Sequence, residues 1–78
     1  ASAIIHTWNR PIWLNDERLA VNPPGDEAFV FDVKTGQVVA QLQGKDQVDC
    51  FAFDHARGLL YGSLCGGDIV RWDVTSAL

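Results

Sequence analysis

Short apolar segments alternate with clusters of turn-forming residues along the whole chain. Asn, Asp, Gly and Pro separate segments rich in β-branched and aromatic residues, a pattern that is typical of strands joined by tight turns. No stretch keeps the 3.6-residue apolar period of an amphipathic helix over helical length. The sequence therefore predicts an all-β fold with strands at residues 12–14, 19–21, 27–33, 37–42, 48–54, 59–64 and 68–74.

The segment 48–54 departs from a simple apolar–polar alternation. Successive side chains of a strand point to opposite faces of its sheet, so Phe51 and Phe53 are expected to pack on one face and Cys50 and Ala52 on the other. Both pairs are apolar, whereas a sheet with one solvated face alternates apolar and polar residues. We therefore expect neighbouring elements to cover both faces of this strand.

An aromatic residue followed by Asp-Val occurs twice, at Phe31 and at Trp72, 41 residues apart. This repeat divides the chain into a first unit, residues 8–43, with four predicted strands, and a second unit, residues 44–78, with three. Residues 2–7 also have the pattern of a short strand and align with the fourth strand of the first unit. Residues 1–7 are therefore predicted to be a closing strand that completes a three-stranded unit.

The chain resembles two divergent WD repeats of the β-propeller family, whose blades have four strands and a period of about 40–45 residues. The resemblance covers nearly all of the chain. In the second unit the matching residues are Val48, Phe51, Phe53, 59–63 and 69–73; in the first unit they are Trp13, 19–21 and 28–32.

Two departures from the family pattern concern its buried His–Ser–Asp–Trp network. Where the family has Gly-His, this chain has residues 44–45 and 7–8, and Gly66 and Gly25 stand where the family has an Asp. Ser63 and Trp72 are retained, so the network is expected to be incomplete. Quinoprotein-type propeller repeats also carry an Asp-x-x-Thr-Gly turn like residues 32–36, and they remain an alternative.

The resemblance implies two four-stranded antiparallel propeller blades, the second of which lacks its fourth strand. An unpaired strand edge is an aggregation liability, and head-to-tail pairing into a ring removes it. We expect the strand at residues 2–7 to complete the incomplete blade of a neighbouring copy. Three copies would then give six blades and four copies would give eight.

The composition supports a large buried interface and excludes some classes of function. A chain of 78 residues has marginal stability alone, yet 47% of its residues are hydrophobic. The net charge of −4 and the scattered basic residues disfavour nucleic-acid binding. No apolar run reaches the roughly 20 residues of a membrane span, so no membrane partner is expected. Because the chain contains no Met, we expect it to be trimmed or excised from a longer one.

No catalytic, metal or cofactor site is predicted. Cys50, Cys65, His6 and His55 lack the spacing of a zinc site. The acidic pairs 49 and 54, and 16 and 17, are expected to be solvated turn or strand-end residues. A tight hairpin would set Cys50 nearer Ser63 than Cys65, which disfavours a disulfide. Two cysteines in an acidic chain indicate a reducing compartment and hence a cytoplasmic location.

The loops that join one blade to the next are the candidate binding surface, since binding sites lie on that face in the WD-repeat family. Trp8 is the strongest candidate because exposed aromatic residues are favoured at recognition surfaces, but packing of its side chain between blades is the favoured alternative. From the topology, the candidate binding residues are Trp8, Asn9, Arg10, Asn22, Pro23, Lys45 and Asp46.

The sequence-based hypothesis is a non-enzymatic protein-interaction scaffold that forms a complete propeller by head-to-tail assembly of identical copies. A second hypothesis is a piece of a longer propeller that other chains complete. A third is a ligand-binding, sugar-binding or quinoprotein-like propeller with its site on the central channel. A small self-contained β-barrel, in which residues 2–7 pair within their own chain, is the structural alternative.

Overall fold

The computed structural model describes residues 11–78, which fold into two antiparallel sheets. The first sheet has the order β1 (Ile12–Trp13), β2 (Arg18–Val21), β3 (Glu27–Asp32) and β4 (Gln37–Gln43). The second has the order β5 (Val48–Asp54), β6 (Leu59–Leu64) and β7 (Ile69–Asp73), and a 3₁₀ turn at Thr75–Ala77 follows it. The all-β prediction is confirmed, and each of these strands ends within one residue of its predicted bounds. The predicted strand at 2–7 lies outside the described residues.

Two tight turns of the same design end strands β3 and β5. Asp32 Oδ1 accepts a hydrogen bond from the N–H of Lys34, and Asp54 Oδ1 accepts one from the N–H of Ala56. In each turn a glycine four residues after the Asp donates its N–H to the Asp carbonyl, at 2.8 and 2.9 Å. Gly36 has φ 75° and Gly58 has φ 67°, a left-handed conformation that favours glycine.

One face of each sheet packs on the other sheet, and these two inner faces form the core. The first sheet contributes small side chains, with Ala20, Ala28 and Val30 all fully buried. The second sheet contributes larger ones, among them buried Leu60 and the partly buried Phe51, Phe53 and Trp72. Small residues on one face therefore accommodate bulky residues on the other, as in close-packed interiors.

Hydrogen bonds at both ends of the strands join the two sheets. The indole Nε1 of Trp72 donates to the carbonyl of Gln43 at 3.1 Å. At the opposite end, Arg18 Nε donates to the carbonyl of Ala77 at 2.9 Å, and its guanidinium lies 3.1 Å from the Asp32 carboxylate. Val74 and Ala77, which follow β7, are buried in the same core.

The faces that point away from this core are called the outer faces. The outer face of the first sheet carries Trp13, Leu19, Val21, Phe29, Phe31 and Val38, of which Trp13 is 57% exposed. The outer face of the second sheet carries Cys50, Ala52, Tyr61, Ser63, Ile69 and Arg71. As predicted, Phe51 and Phe53 pack inward, whereas Cys50 and Ala52 are exposed on the other side.

Ser63 and Trp72, the two residues that match the WD-repeat network, are not bonded to each other. Ser63 lies on the outer face, where its Oγ is 3.0 Å from Cys50 Sγ, while Trp72 lies on the inner face. The register brings Cys50 opposite Ser63, as expected from the tight hairpin, and the two cysteines form no disulfide. The indole N–H instead bonds across to the first sheet.

Candidate functional site

Three loops meet at one end of the paired sheets and carry the predicted binding residues that the structure describes. The β2–β3 loop spans residues 22–26, the β4–β5 loop spans 44–47 and the β6–β7 loop spans 65–68. The second of these crosses from the first sheet to the second, so it brings the other two loops together. The residues of these three loops are called the loop face. The other predicted binding residues lie outside the part of the chain that the structure describes, and they are Trp8, Asn9 and Arg10.

Gln47 is the residue that holds the loop face together. Its side-chain Oε1 accepts a hydrogen bond from the N–H of Gly25 at 2.8 Å, and its Nε2 donates to the carbonyl of Pro23. Its own carbonyl accepts the N–H of Cys65 at 2.8 Å. One side chain and its backbone thus fix three loops. Gln47 was not predicted as a site residue, because no sequence motif marks it.

Asn22 is a positioning residue of this surface. It is 1% exposed, and its Nδ2 donates to the carbonyl of Val48 at 2.7 Å and to that of Asp49 at 3.3 Å. Asn22 therefore joins the end of β2 to the start of β5, beside the register shift between Val48 and Cys50. Its Oδ1 is buried and accepts no hydrogen bond from residues 11–78.

Charged groups of both signs lie on the exposed part of the loop face. Lys45 Nζ is 2.8 Å from the Asp68 carboxylate. The hydrogen bond and the charge attraction between them raise the pKa of Lys45 and lower the pKa of Asp68. Asp46 Oδ1 accepts the N–H of Gln47 at 2.8 Å, which leaves its second oxygen toward Gly66. The structure thus brings Pro23, Lys45 and Asp46 together, and adds Asp68.

Across residues 11–78, no group of three or more His, Cys, Asp or Glu side chains is arranged to hold a metal ion. Asp54 is engaged in its turn, where it accepts hydrogen bonds from Ala56 and Arg57. No helix of the described part of the chain is long and apolar enough to cross a membrane.

A groove at the opposite end of the sheets was not predicted from the sequence. Its volume is about 480 Å³, and the β1–β2 turn, the β5–β6 turn and the last residue form its walls. The ring of His55 stands edge-on to Phe53 at 4.6 Å beside it. The lining residues are Leu14, Asn15, Asp16, Glu17, His55 and Leu78.

Comparison with models of known protein families finds no match to this chain. No curated protein matches it either.

Proposed function

We propose that the two sheets are blades of a β-propeller, and that copies of the chain assemble head to tail into a closed ring. The observation that carries this proposal is the pair of apolar outer faces. The sheets share one core through their inner faces, yet Trp13 and Val38 are 57% and 49% exposed on one outer face and Ile69 is 71% exposed on the other. Exposed apolar surface of this kind marks an interaction site.

The open edge of the second sheet also supports assembly. Within residues 11–78 this sheet has three strands, and β7 forms its edge. The strand predicted at residues 2–7 is the partner we assign to β7, contributed by a neighbouring copy. Such pairing satisfies the backbone groups of the edge and gives the second blade its fourth strand.

The completed ring is proposed to be a non-enzymatic scaffold that binds proteins through the loop face. Its mixture of Lys45, Asp46 and Asp68 with Pro23 suits a polar protein surface better than a phosphate backbone, which requires clustered cations. Trp8, Asn9 and Arg10 are expected to join the same surface by the WD-repeat resemblance. We propose a cytoplasmic location because Cys50 and Cys65 are both exposed and unbonded.

Light scattering on the purified 78-residue chain tests the assembly. A mass of three or four copies at micromolar concentration is the expected result. A folded monomer of 8.6 kDa would overturn the proposal. A chain that stays unfolded until another polypeptide is added would favour the second hypothesis, a piece of a longer propeller.

Charge reversal tests the scaffold role of the loop face. Lys45→Glu combined with Asp68→Lys disturbs this face, whereas Lys34→Glu in the β3–β4 turn changes an exposed charge at the other end of the sheets. We expect the first variant to lose binding of protein partners that the parent chain and the Lys34 variant both retain. Equal retention by all three would contradict the assignment of the loop face.

A further inference from the structure

The outer face of the first sheet presents a continuous row of apolar side chains. Cross-strand pairing places Trp13 beside Leu19, Leu19 beside Phe31 and Phe31 beside Val38. The row therefore crosses all four strands. Trp13 and Val38 are exposed, and none of these side chains belongs to the core formed by residues 11–78.

The second sheet already contains an equivalent row that is packed. Phe53 pairs with Leu60, and Leu60 pairs with Trp72. Trp72 stands 41 residues after Phe31 and Leu60 stands 41 after Leu19, so the two rows occupy the same places in their sheets. The row of the second sheet is packed against the inner face of the first.

The outer face of the second sheet has a receiving surface of the matching kind. A shallow depression of about 130 Å³ lies there, and its exposed lining is almost entirely apolar. Cys50, Ala52 and Ser63 give it small side chains, whereas Tyr61 and Ile69 stand where the first sheet has Ala20 and Ala28, 41 residues earlier. The residues of the depression are Cys50, Phe51, Ala52, Tyr61, Gly62, Ser63 and Ile69.

We propose that the row Trp13–Leu19–Phe31–Val38 of one copy docks on this depression in a second copy, as Phe53–Leu60–Trp72 docks on the first sheet within the chain. The inference rests on the proposed function and names the surfaces that would carry it. The two surfaces are different, so the contact is heterologous, and repeating it generates a ring where the rotation closes. The partner that binds the depression is a second copy of this chain, because one chain carries both the apolar row and the depression.

Arg71 is one difference between the two contacts. It stands where the first sheet has Val30, 41 residues earlier, and it is exposed on the outer face. An arginine can lay its aliphatic stem along apolar surface while its guanidinium stays in water. Arg71 therefore lies at the rim of the proposed contact, beside Tyr61 on the neighbouring strand.

The two cysteines provide a direct test. Cys50 lies in the depression, while Cys65 lies in the β6–β7 turn, and both are exposed. Maleimide labelling of Cys50→Ser and Cys65→Ser variants, followed by mass spectrometry, measures each thiol alone. In the assembled protein we expect Cys50 to react at least about tenfold more slowly than in the dissociated chain, with Cys65 unchanged.

The labelling outcomes separate this inference from the proposed function. If Cys50 reacts as fast as Cys65 in the assembled protein, the proposed docking contact is wrong, but the proposal of a ring is not affected. A chain that remains a folded monomer at every concentration would overturn both.

Paired variants test the direction of the contact. Trp13→Asp damages one surface and Ile69→Asp damages the other, and we expect each variant alone to be monomeric because a buried unpaired charge is costly. Mixing them should give a complex of two chains and no larger species, since one intact surface of each kind remains. Leu78→Asp changes an exposed apolar residue in the groove at the end of the sheets, outside both surfaces, and should still assemble. Failure of the mixture to form the pair, with both variants folded by circular dichroism, would refute the contact.

Discussion

The indole of Trp72 lies against Gly62, which stands on the adjacent strand two residues after Leu60, the cross-strand partner of Trp72. A Cβ atom built on Gly62 would stand 2.8 Å from the Trp72 ring and 3.1 Å from Val48 Cγ1. The ring packs against β6 with Phe51 edge-on at 6.4 Å, and its N–H donates to the carbonyl of Gln43. The absence of a side chain at Gly62 thus makes room for the Trp72 ring that contacts the first sheet.

Gly62→Ala should destabilise the fold by about 1–3 kcal/mol, because the added methyl group overpacks the space between Trp72 and Val48. Gly66→Ala is the matched control, since its Cβ would meet only the flexible carboxylate of Asp46. Urea denaturation followed by circular dichroism, at one fixed protein concentration, measures both. Equal stability of the two variants would contradict the tight contact.

Trp72→Phe should cost about 0.5–1 kcal/mol, since it removes the hydrogen bond to Gln43 and keeps most of the ring packing. Trp72→Ala should cost more, about 2–3 kcal/mol, because the partly buried ring is lost as well. The same denaturation experiment ranks the two. If both substitutions cost the same, the hydrogen bond rather than the packing would be the main contribution of Trp72.

Asn22→Ala should lower the free energy of unfolding by about 0.5–1.5 kcal/mol, because it removes the hydrogen bonds to the carbonyls of Val48 and Asp49 and leaves Val48 only the longer one from Gln47. Asn15→Ala removes an exposed side chain that bonds only its own turn, and should change stability by less than about 0.5 kcal/mol. Amide hydrogen exchange gives a second readout, in which Asn22→Ala should weaken protection at the β4–β5 loop. Unchanged protection there would argue against a positioning role.

Acidification should weaken the fold through Asp54. The hydrogen bond from the Arg57 guanidinium lowers the pKa of this carboxyl, and bonds from the backbone N–H groups of Arg57 and Ala56 act in the same direction. A lowered folded-state pKa stabilises the fold above the unfolded-state pKa of about 4, and the contribution is lost as pH falls through the folded-state value. Asp54→Asn should therefore be less stable than the parent at pH 7 and match it at low pH.

Asp16→Asn is the control for the acid titration, because the Asp16 side chain forms no hydrogen bond or ion pair with other described residues. Its melting temperature at pH 7 should stay close to that of the parent, because the substitution removes no such interaction. Thermal melts between pH 2 and pH 7 compare the three proteins. A gap between Asp54→Asn and the parent that stayed constant down to the lowest pH would contradict the assignment.

The strand positions could be predicted because local chemistry sets them. Turns built on Asp32 with Gly36, and on Asp54 with Gly58, end their strands by hydrogen bonds within a few residues. The faces of β5 followed from alternation alone. Each of these features depends on residues that are close in sequence, and therefore the sequence pattern was enough to predict it.

The features that could not be predicted depend on contacts between distant segments. The register shifts at Val30/Phe31 and at Val48/Cys50 have no signal in the alternation of apolar and polar residues. Asn22 was predicted as a binding residue from its loop position. The structure shows that it is buried and donates a hydrogen bond to the carbonyl of Val48, a residue 26 positions away. Gln47 joins three loops through hydrogen bonds of its side-chain amide and backbone carbonyl. In the sequence it looks like any exposed glutamine, so no pattern could identify it.

The bond from Arg18 to the carbonyl of Ala77 has a consequence for how the chain unfolds. Val74 and Ala77 pack in the core that both sheets share, so the 3₁₀ turn that follows β7 is held by the first hairpin. Neither sheet can melt without uncovering the other, and the pair should denature in one cooperative step. Two repeats in sequence thus behave as a single thermodynamic unit.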